Sequence, residues 1–211
     1  VPYLERAKTQ GCTVFAANIG MYRGMFDPAQ IGHFSVVKSA QQTFSLEKVF
    51  IFVNPGPSHK PNASPYGYRC LMALLTFSRL RHVEIWDDPD GLLADNKNFT
   101  AYVEDYAARH PDDTIYLLGG DDTYQALFAP GGLGVPRGDN IRLAVCCRSG
   151  DRLFVNQDPD RTVIFTSKQS TSSTSIRSAV SEGARKPMLI IPDVELYIQR
   201  RRLYGFDVSE E

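Results

Sequence analysis

Cysteine is scarce in this 211-residue chain, and what there is does not pair. Cys12, Cys70, Cys146 and Cys147 form no C-x-x-C unit. Neither a zinc site nor a redox dithiol is expected, and the thiols read as reduced, buried or incidental. Net charge is nearly absent too, because 23 basic and 24 acidic residues leave a formal −1. Such a chain has no general field to recruit nucleic acid or an anionic membrane, so any phosphate site must be local. No run of about 18 apolar residues occurs, which excludes an obvious membrane-spanning helix. Val1 to Thr9 lack the charged-then-apolar profile of a signal peptide, and a cytoplasmic setting is expected. No G-x-G-x-x-G follows the first strand, and no cluster of carboxylates offers a dedicated metal cage. Internal repeats and linkers are missing as well. A single domain over residues 1–211 is expected, with helices from about residue 172 packing on it.

What is present is an alternation. Short β-rich apolar runs predict strands over Thr13 to Tyr22, Lys48 to Val53, His82 to Trp86, Thr114 to Leu118, Ile141 to Cys147 and Arg161 to Thr166. Between and after them, apolar residues at three- and four-residue steps predict helices. These cover Phe34 to Ser45, Tyr66 to Leu80, Thr100 to His110, Ser175 to Gly183 and Asp193 to Leu203. Strand–helix alternation at this spacing implies right-handed βαβ units and a mostly parallel α/β sheet. In such a sheet the loops leaving the strand C-termini form the ligand crevice.

The first candidate site residues follow the first strand, in Gly24-Met25-Phe26-Asp27-Pro28-Ala29-Gln30-Ile31-Gly32-His33. Gly24 allows close backbone approach, and Pro28 stiffens the turn. Gly32 and His33 stand where a helix begins, and open N–H groups there favour an anion. On the residues alone, His33 reads more often as a surface or capping residue. The second candidate is Thr171-Ser172-Ser173-Thr174-Ser175-Ile176-Arg177, between the last strand and a helix. By itself it reads as a Ser/Thr-rich cap. Its hydroxyls, N–H groups and arginine also suit the β- and γ-phosphates of a nucleotide.

The first string resembles the G-x-F-D-P-x-(H/T)-x-G-H signature of the HIGH-type nucleotidyltransferases. The second resembles their I-S-S-T-x-I-R signature. Gln30 departs from the usual His or Thr, and Thr171 from the usual Ile. Further stretches are similar to the nicotinate and nicotinamide mononucleotide adenylyltransferase branch. They are Val53 to Lys60 with Arg69-Cys70-Leu71-Met72, Gly119-Gly120-Asp121, Val83 to Asp87 around Trp86, and the ending Val194 to Ile198 with Leu203-Tyr204-Gly205. The resemblance implies a Rossmann-like nucleotidyltransferase fold. It also implies transfer of AMP from ATP to a small phosphate-bearing acceptor, with Mg²⁺ carried mainly on the ATP phosphates.

Carried over by residue, it places Gly24, Met25, Phe26, Gly32, His33, Gly119, Asp121, Ser172, Ser173, Thr174 and Arg177 around ATP. His33, Arg177 and Gln30 would take part in catalysis, with Gln30 helping to hold the triphosphate. Lys60, Trp86 and Arg69 would serve the second substrate, Trp86 by stacking on a pyridine ring. Each has a plainer alternative: Lys60 an exposed loop residue, Arg69 a helix residue closing a salt bridge, Asp121 a helix cap, Trp86 a strand-end core residue. No general base is required, because a phosphate monoester is already largely ionised at neutral pH. Nucleic acid and membrane partners are not implied, and there is room for a homo-oligomer. Rival readings are a CTP or phosphopantetheine enzyme on the same scaffold, a non-catalytic nucleotide-binding relative, and a fragment of an aminoacyl-tRNA synthetase. The last is disfavoured by the near-neutral charge and by the lack of K-M-S-K-S.

Overall fold

The structure is a computed structural model. It describes residues 16–56, 62–88, 90–93, 95–130, 132, 134–147, 155–168, 172–183 and 189–206. Six strands form one parallel sheet: β1 (Asn18–Gly24), β2 (Lys48–Val53), β3 (Val83–Trp86), β4 (Thr114–Gly120), β5 (Ile141–Cys147) and β6 (Thr162–Thr166). Their order is β3-β2-β1-β4-β5-β6. The helices are α1 (Ile31–Phe44), α2 (Tyr66–Phe77), α3 (Asn96–Arg109), α4 (Asp121–Phe128), α5 (Ser173–Ser181) and α6 (Pro192–Arg201), followed by a short 3₁₀ turn at Leu203–Gly205.

Alternating side chains sort the helices onto two faces. In β2, Val49, Ile51 and Val53 point to one face, where they join Val37 of α1, Met72 and Phe77 of α2, Ile176 of α5 and Ile198 of α6. Phe50 and Phe52 point to the other, against Phe99, Val103 and Tyr106 of α3. Leu143 and Val145 of β5 meet Tyr124 and Leu127 of α4 on this second face. Strand order explains the division. The chain steps outward from β1 to β3, then reverses to β4 and β5, and right-handed crossovers put the helices of the two directions on opposite faces. The reversal leaves β1 and β4 as neighbours, with Tyr22 opposite Leu118 near their C-terminal ends. A crevice opens at such a switch point.

The predicted strands and helices match this architecture, with shifts at their ends. α1 begins at Ile31, ahead of the expected Phe34, because Gln30 caps it. α3 begins at Asn96, ahead of the expected Thr100, because the Asp95 carboxylate accepts from the N–H groups of Lys97 and Asn98. α4 is eight residues long, too short for its periodicity to mark it beyond its start.

Candidate active site

A cleft of about 1100 Å³ lies at the C-terminal ends of β1 and β4. Gly24, Gly32 and His33 line it together with Ser172, Ser173, Thr174 and Arg177, so two motifs far apart in the chain share one cavity. The join is covalently distant but physically direct. Arg177 Nη1 donates to the Asp27 carbonyl at 2.6 Å across 150 residues, and Ser173 Oγ donates to the Pro28 carbonyl at 3.0 Å. Arg177 Nη2 also reaches Thr174 Oγ1 at 3.2 Å. α5 is thereby stitched onto the turn that leads into α1.

That turn is built around Phe26. Its backbone takes φ 51 and its ring is 1% exposed, edge-on to Tyr22, His33 and Phe77. A left-handed bulky residue carries strain, and such strain persists only where packing over-determines it. Gly24 suits this turn, because a Cβ there would press on the Phe26 ring at 3.0 Å. Phe26 therefore shapes the cleft wall chiefly from within the core.

His33 stands in the first turn of α1. Its Nδ1 accepts the backbone N–H of Gln30 at 3.2 Å. A neutral imidazole with Nδ1 as acceptor carries its proton on Nε2, on the far side of the ring from that bond. His33 is thus set as a donor.

Gln30 differs from expectation. It is 3% exposed, and its side-chain oxygen accepts from the N–H of Gly32 and from that of His33 in a capping box. Ile31 N–H goes to the Leu189 carbonyl at 3.0 Å, and Phe34 N–H to the Gln30 carbonyl at 3.2 Å. The N–H groups expected to meet an anion at α1 are therefore spent within the protein. Gly32 also fits this cap, since a Cβ would lie 2.7 Å from the Gln30 oxygen. At α5 the reverse holds. Ser172 makes no side-chain cap, and among the described residues the N–H groups of Ser173, Thr174 and Ser175 have no acceptor. This helix start is open toward the cleft.

Other expected residues fall elsewhere. Arg69 is 1% exposed and gives its guanidinium to four carbonyls, those of Ser64, Met25, Asn54 and Pro55, at 2.5–3.1 Å. Burial lowers its pKa, partly offset by Asp27, so the charge is held as an internal clamp. The assignment of Arg69 to substrate is corrected accordingly. Met25, whose carbonyl it holds, does line the cleft. Trp86 is not among the lining residues; it packs against Phe50, Phe52 and Tyr102 at 5.2–5.9 Å between rings. Stacking on a substrate ring is thus not supported for it. Gly119 and Asp121 are displaced by one register: Gly120 and Asp122 line the cleft, whereas Asp121 accepts from Gln125 along α4. The string Gly120-Asp121-Asp122 fits G-x-D as well as Gly119-Gly120-Asp121 does. Lys60 lies outside the described residues.

Three lining residues lacked a sequence signal. Arg23, at the end of β1, donates to Asn96 Oδ1 at 2.7 Å and to the Leu93 carbonyl at 2.8 Å, and lies 4.9 Å over the Phe99 ring. Burial lowers its pKa, opposed by Asp95 and Asp88. Together with Asn96 and Phe99 it forms the α3 wall of the cleft, opposite the two helix starts. Two of the lining carboxylates, Asp27 and Asp95, are committed within the protein. Asp27 accepts from Tyr204 Oη and Ser64 N–H, and Asp95 caps α3. Among the described residues no group of three or more metal-ligating side chains exists.

Residues 21–179 match the family described as "Cytidylyltransferase-like". The chain belongs to this family. Among curated relatives, the "Probable nicotinate-nucleotide adenylyltransferase" of Thermus thermophilus is 29% identical over 197 residues, spanning 88% of this chain and 98% of that one. The protein of the same name from Shouchella clausii is 26% identical, spanning 89% and 96%. Among solved structures, a Plasmodium falciparum nicotinic acid mononucleotide adenylyltransferase complexed with NaAD superposes with a TM-score of 0.70. It covers 92% of this chain and 100% of that one at 15% identity, a likeness of fold.

Proposed function

We propose that this protein transfers the adenylyl group of ATP to nicotinate mononucleotide, releasing pyrophosphate and forming a dinucleotide for NAD synthesis. The observation that carries the reading is the convergence of the open α5 start, Arg177 and His33 on one cleft at the sheet's switch point. Full-length relatives named for this activity support it.

The acceptor phosphate is ionised at neutral pH and attacks the α-phosphorus without a base. The protein's task is alignment and stabilisation of charge on the transferring and leaving groups. His33 donates from Nε2 to the reacting phosphoryl group. The N–H groups of Ser173, Thr174 and Ser175, with Arg177, hold the β- and γ-phosphates at the positive end of α5. Gln30 serves by ordering α1 and His33. The α3 wall, with Arg23, Asn96 and Phe99, takes the acceptor's base. Mg²⁺ would arrive on the ATP phosphates and neutralise part of their charge. The committed state of Asp27 and Asp95 fits an ion held by substrate rather than by a protein cage.

The test is pyrophosphate release from ATP or CTP with nicotinate mononucleotide, nicotinamide mononucleotide or phosphopantetheine. ATP with nicotinate mononucleotide should give the fastest release. A preference for CTP, or release only with phosphopantetheine, would contradict the reading.

A further inference from the structure

The Leu203-Tyr204 pair lies in the stretch that is similar to a family ending. The structure gives Tyr204 a more specific place. Its hydroxyl donates to Asp27 Oδ1 at 2.6 Å, across 177 residues. Asp27 is 6% exposed, and its other carboxylate oxygen accepts the Ser64 N–H at 3.1 Å. The backbone carbonyl of this same residue is what Arg177 holds at 2.6 Å. One residue later, the Pro28 carbonyl receives Ser173 Oγ. The side chain of Asp27 is gripped from behind by the tail, and its main chain orients the phosphate-site arginine in front.

We propose that Tyr204 is a positioning residue for the polyphosphate site, acting through Asp27 on Arg177 and on the turn that carries His33. This rests on the adenylyltransferase reading above. Tyr204 does not line the cleft, so it touches no substrate. The backbone there adopts φ 60, a left-handed conformation that a tyrosine takes only when held. Burial, then the bond to Asp27, raises the phenol pKa, so the hydroxyl remains a donor across the working pH range. A second tie from the same segment runs parallel: the Leu189 carbonyl, just ahead of α6, accepts the Ile31 N–H at the start of α1. The tail therefore fastens the phosphate turn at two points, one side chain and one carbonyl.

The experiment compares Tyr204→Phe, which keeps the ring and removes the hydroxyl, with Val194→Ala. Val194 is fully buried in α6 and makes none of these contacts, so its truncation weakens the C-terminal unit by packing alone. Kinetics are read well below each variant's melting temperature. Tyr204→Phe should lower kcat about tenfold, with the KM for the acceptor within about twofold, because small misplacements at a reacting centre are costly. Val194→Ala should lower the melting temperature at least as much and keep wild-type kcat. Combined with Arg177→Lys, the Tyr204→Phe loss should be less than multiplicative, since both act through one contact. Wild-type kcat in Tyr204→Phe, or losses in both variants that track melting, would overturn the inference. If the wild-type protein releases no pyrophosphate with any acceptor, the functional reading fails. ATP affinity by calorimetry then decides the inference: weakening in Tyr204→Phe alone supports it, and unchanged or parallel affinities refute it.

Discussion

The two helix starts that face the cleft both read as anion sites in sequence and behave oppositely in the structure. α1 opens with Gln30-Ile31-Gly32-His33, and every donor of its first turn is taken up by Gln30 or Leu189. α5 opens with Ser172-Ser173-Thr174-Ser175, four good capping residues by type, yet none caps it. Their hydroxyls bond elsewhere: Ser173 donates to the Pro28 carbonyl, Ser175 to that of Ser172, and Thr174 accepts from Arg177. A helix start with unsatisfied N–H groups is a standing demand for an acceptor. The difference teaches that one start is a rigid mount and the other a receptor. α1 presents one imidazole nitrogen in a fixed orientation, whereas α5 presents backbone donors to be completed by phosphate.

Each half of this contrast can be attacked separately. The largest effect is expected at the single group α1 offers. His33→Ala should lower kcat about a hundredfold while leaving ATP affinity within a few-fold, measured by pyrophosphate release and by calorimetry. A variant that turns over normally would remove His33 from the chemistry. At α5, Ser172→Asp should supply the missing cap and a negative charge together. Stability should rise by about 0.5 kcal/mol by thermal melting, while ATP affinity falls about tenfold. Opposite signs of the two changes are the signature of an open anion site, and tighter ATP binding would contradict it. The smallest effect on ligand belongs to the mount. Gln30→Ala should destabilise the fold by about 1 kcal/mol, with ATP affinity within about twofold of wild type. If affinity collapsed and stability held, Gln30 would be a phosphate ligand after all.

Much of the scaffold was legible because burial and strand period coincide. Val49 to Val53 alternates between two helix-covered faces, and the pattern stays apolar throughout, as a doubly covered parallel strand must. The phosphate strings were legible because glycine and hydroxyl residues at fixed spacing announce turns and helix starts. What escaped depends on where a long side chain ends. Arg69 reads as a cation on a helix, but its head turns inward onto four carbonyls, and nothing local to its sequence shows that. Trp86 reads as a stacking platform, but its neighbours Phe50 and Phe52 come from β2 and Tyr102 from α3, both distant in sequence. Gln30 did carry a signal, since a residue at the cap with His33 three positions on is the spacing of a reciprocal cap. The doubled glycine and doubled aspartate in Gly119-Gly120-Asp121-Asp122 left the register ambiguous, and only the folded cleft, lined by Gly120 and Asp122, distinguishes the two.

A structure of the protein with a non-hydrolysable ATP analogue tests the central contrast most directly. The account predicts β- and γ-phosphate oxygens on the N–H groups of Ser173, Thr174 and Ser175, with the Gln30 side chain still on Gly32. Phosphate seated instead on the N–H groups of α1, with Gln30 swung aside and α5 unoccupied, would contradict it.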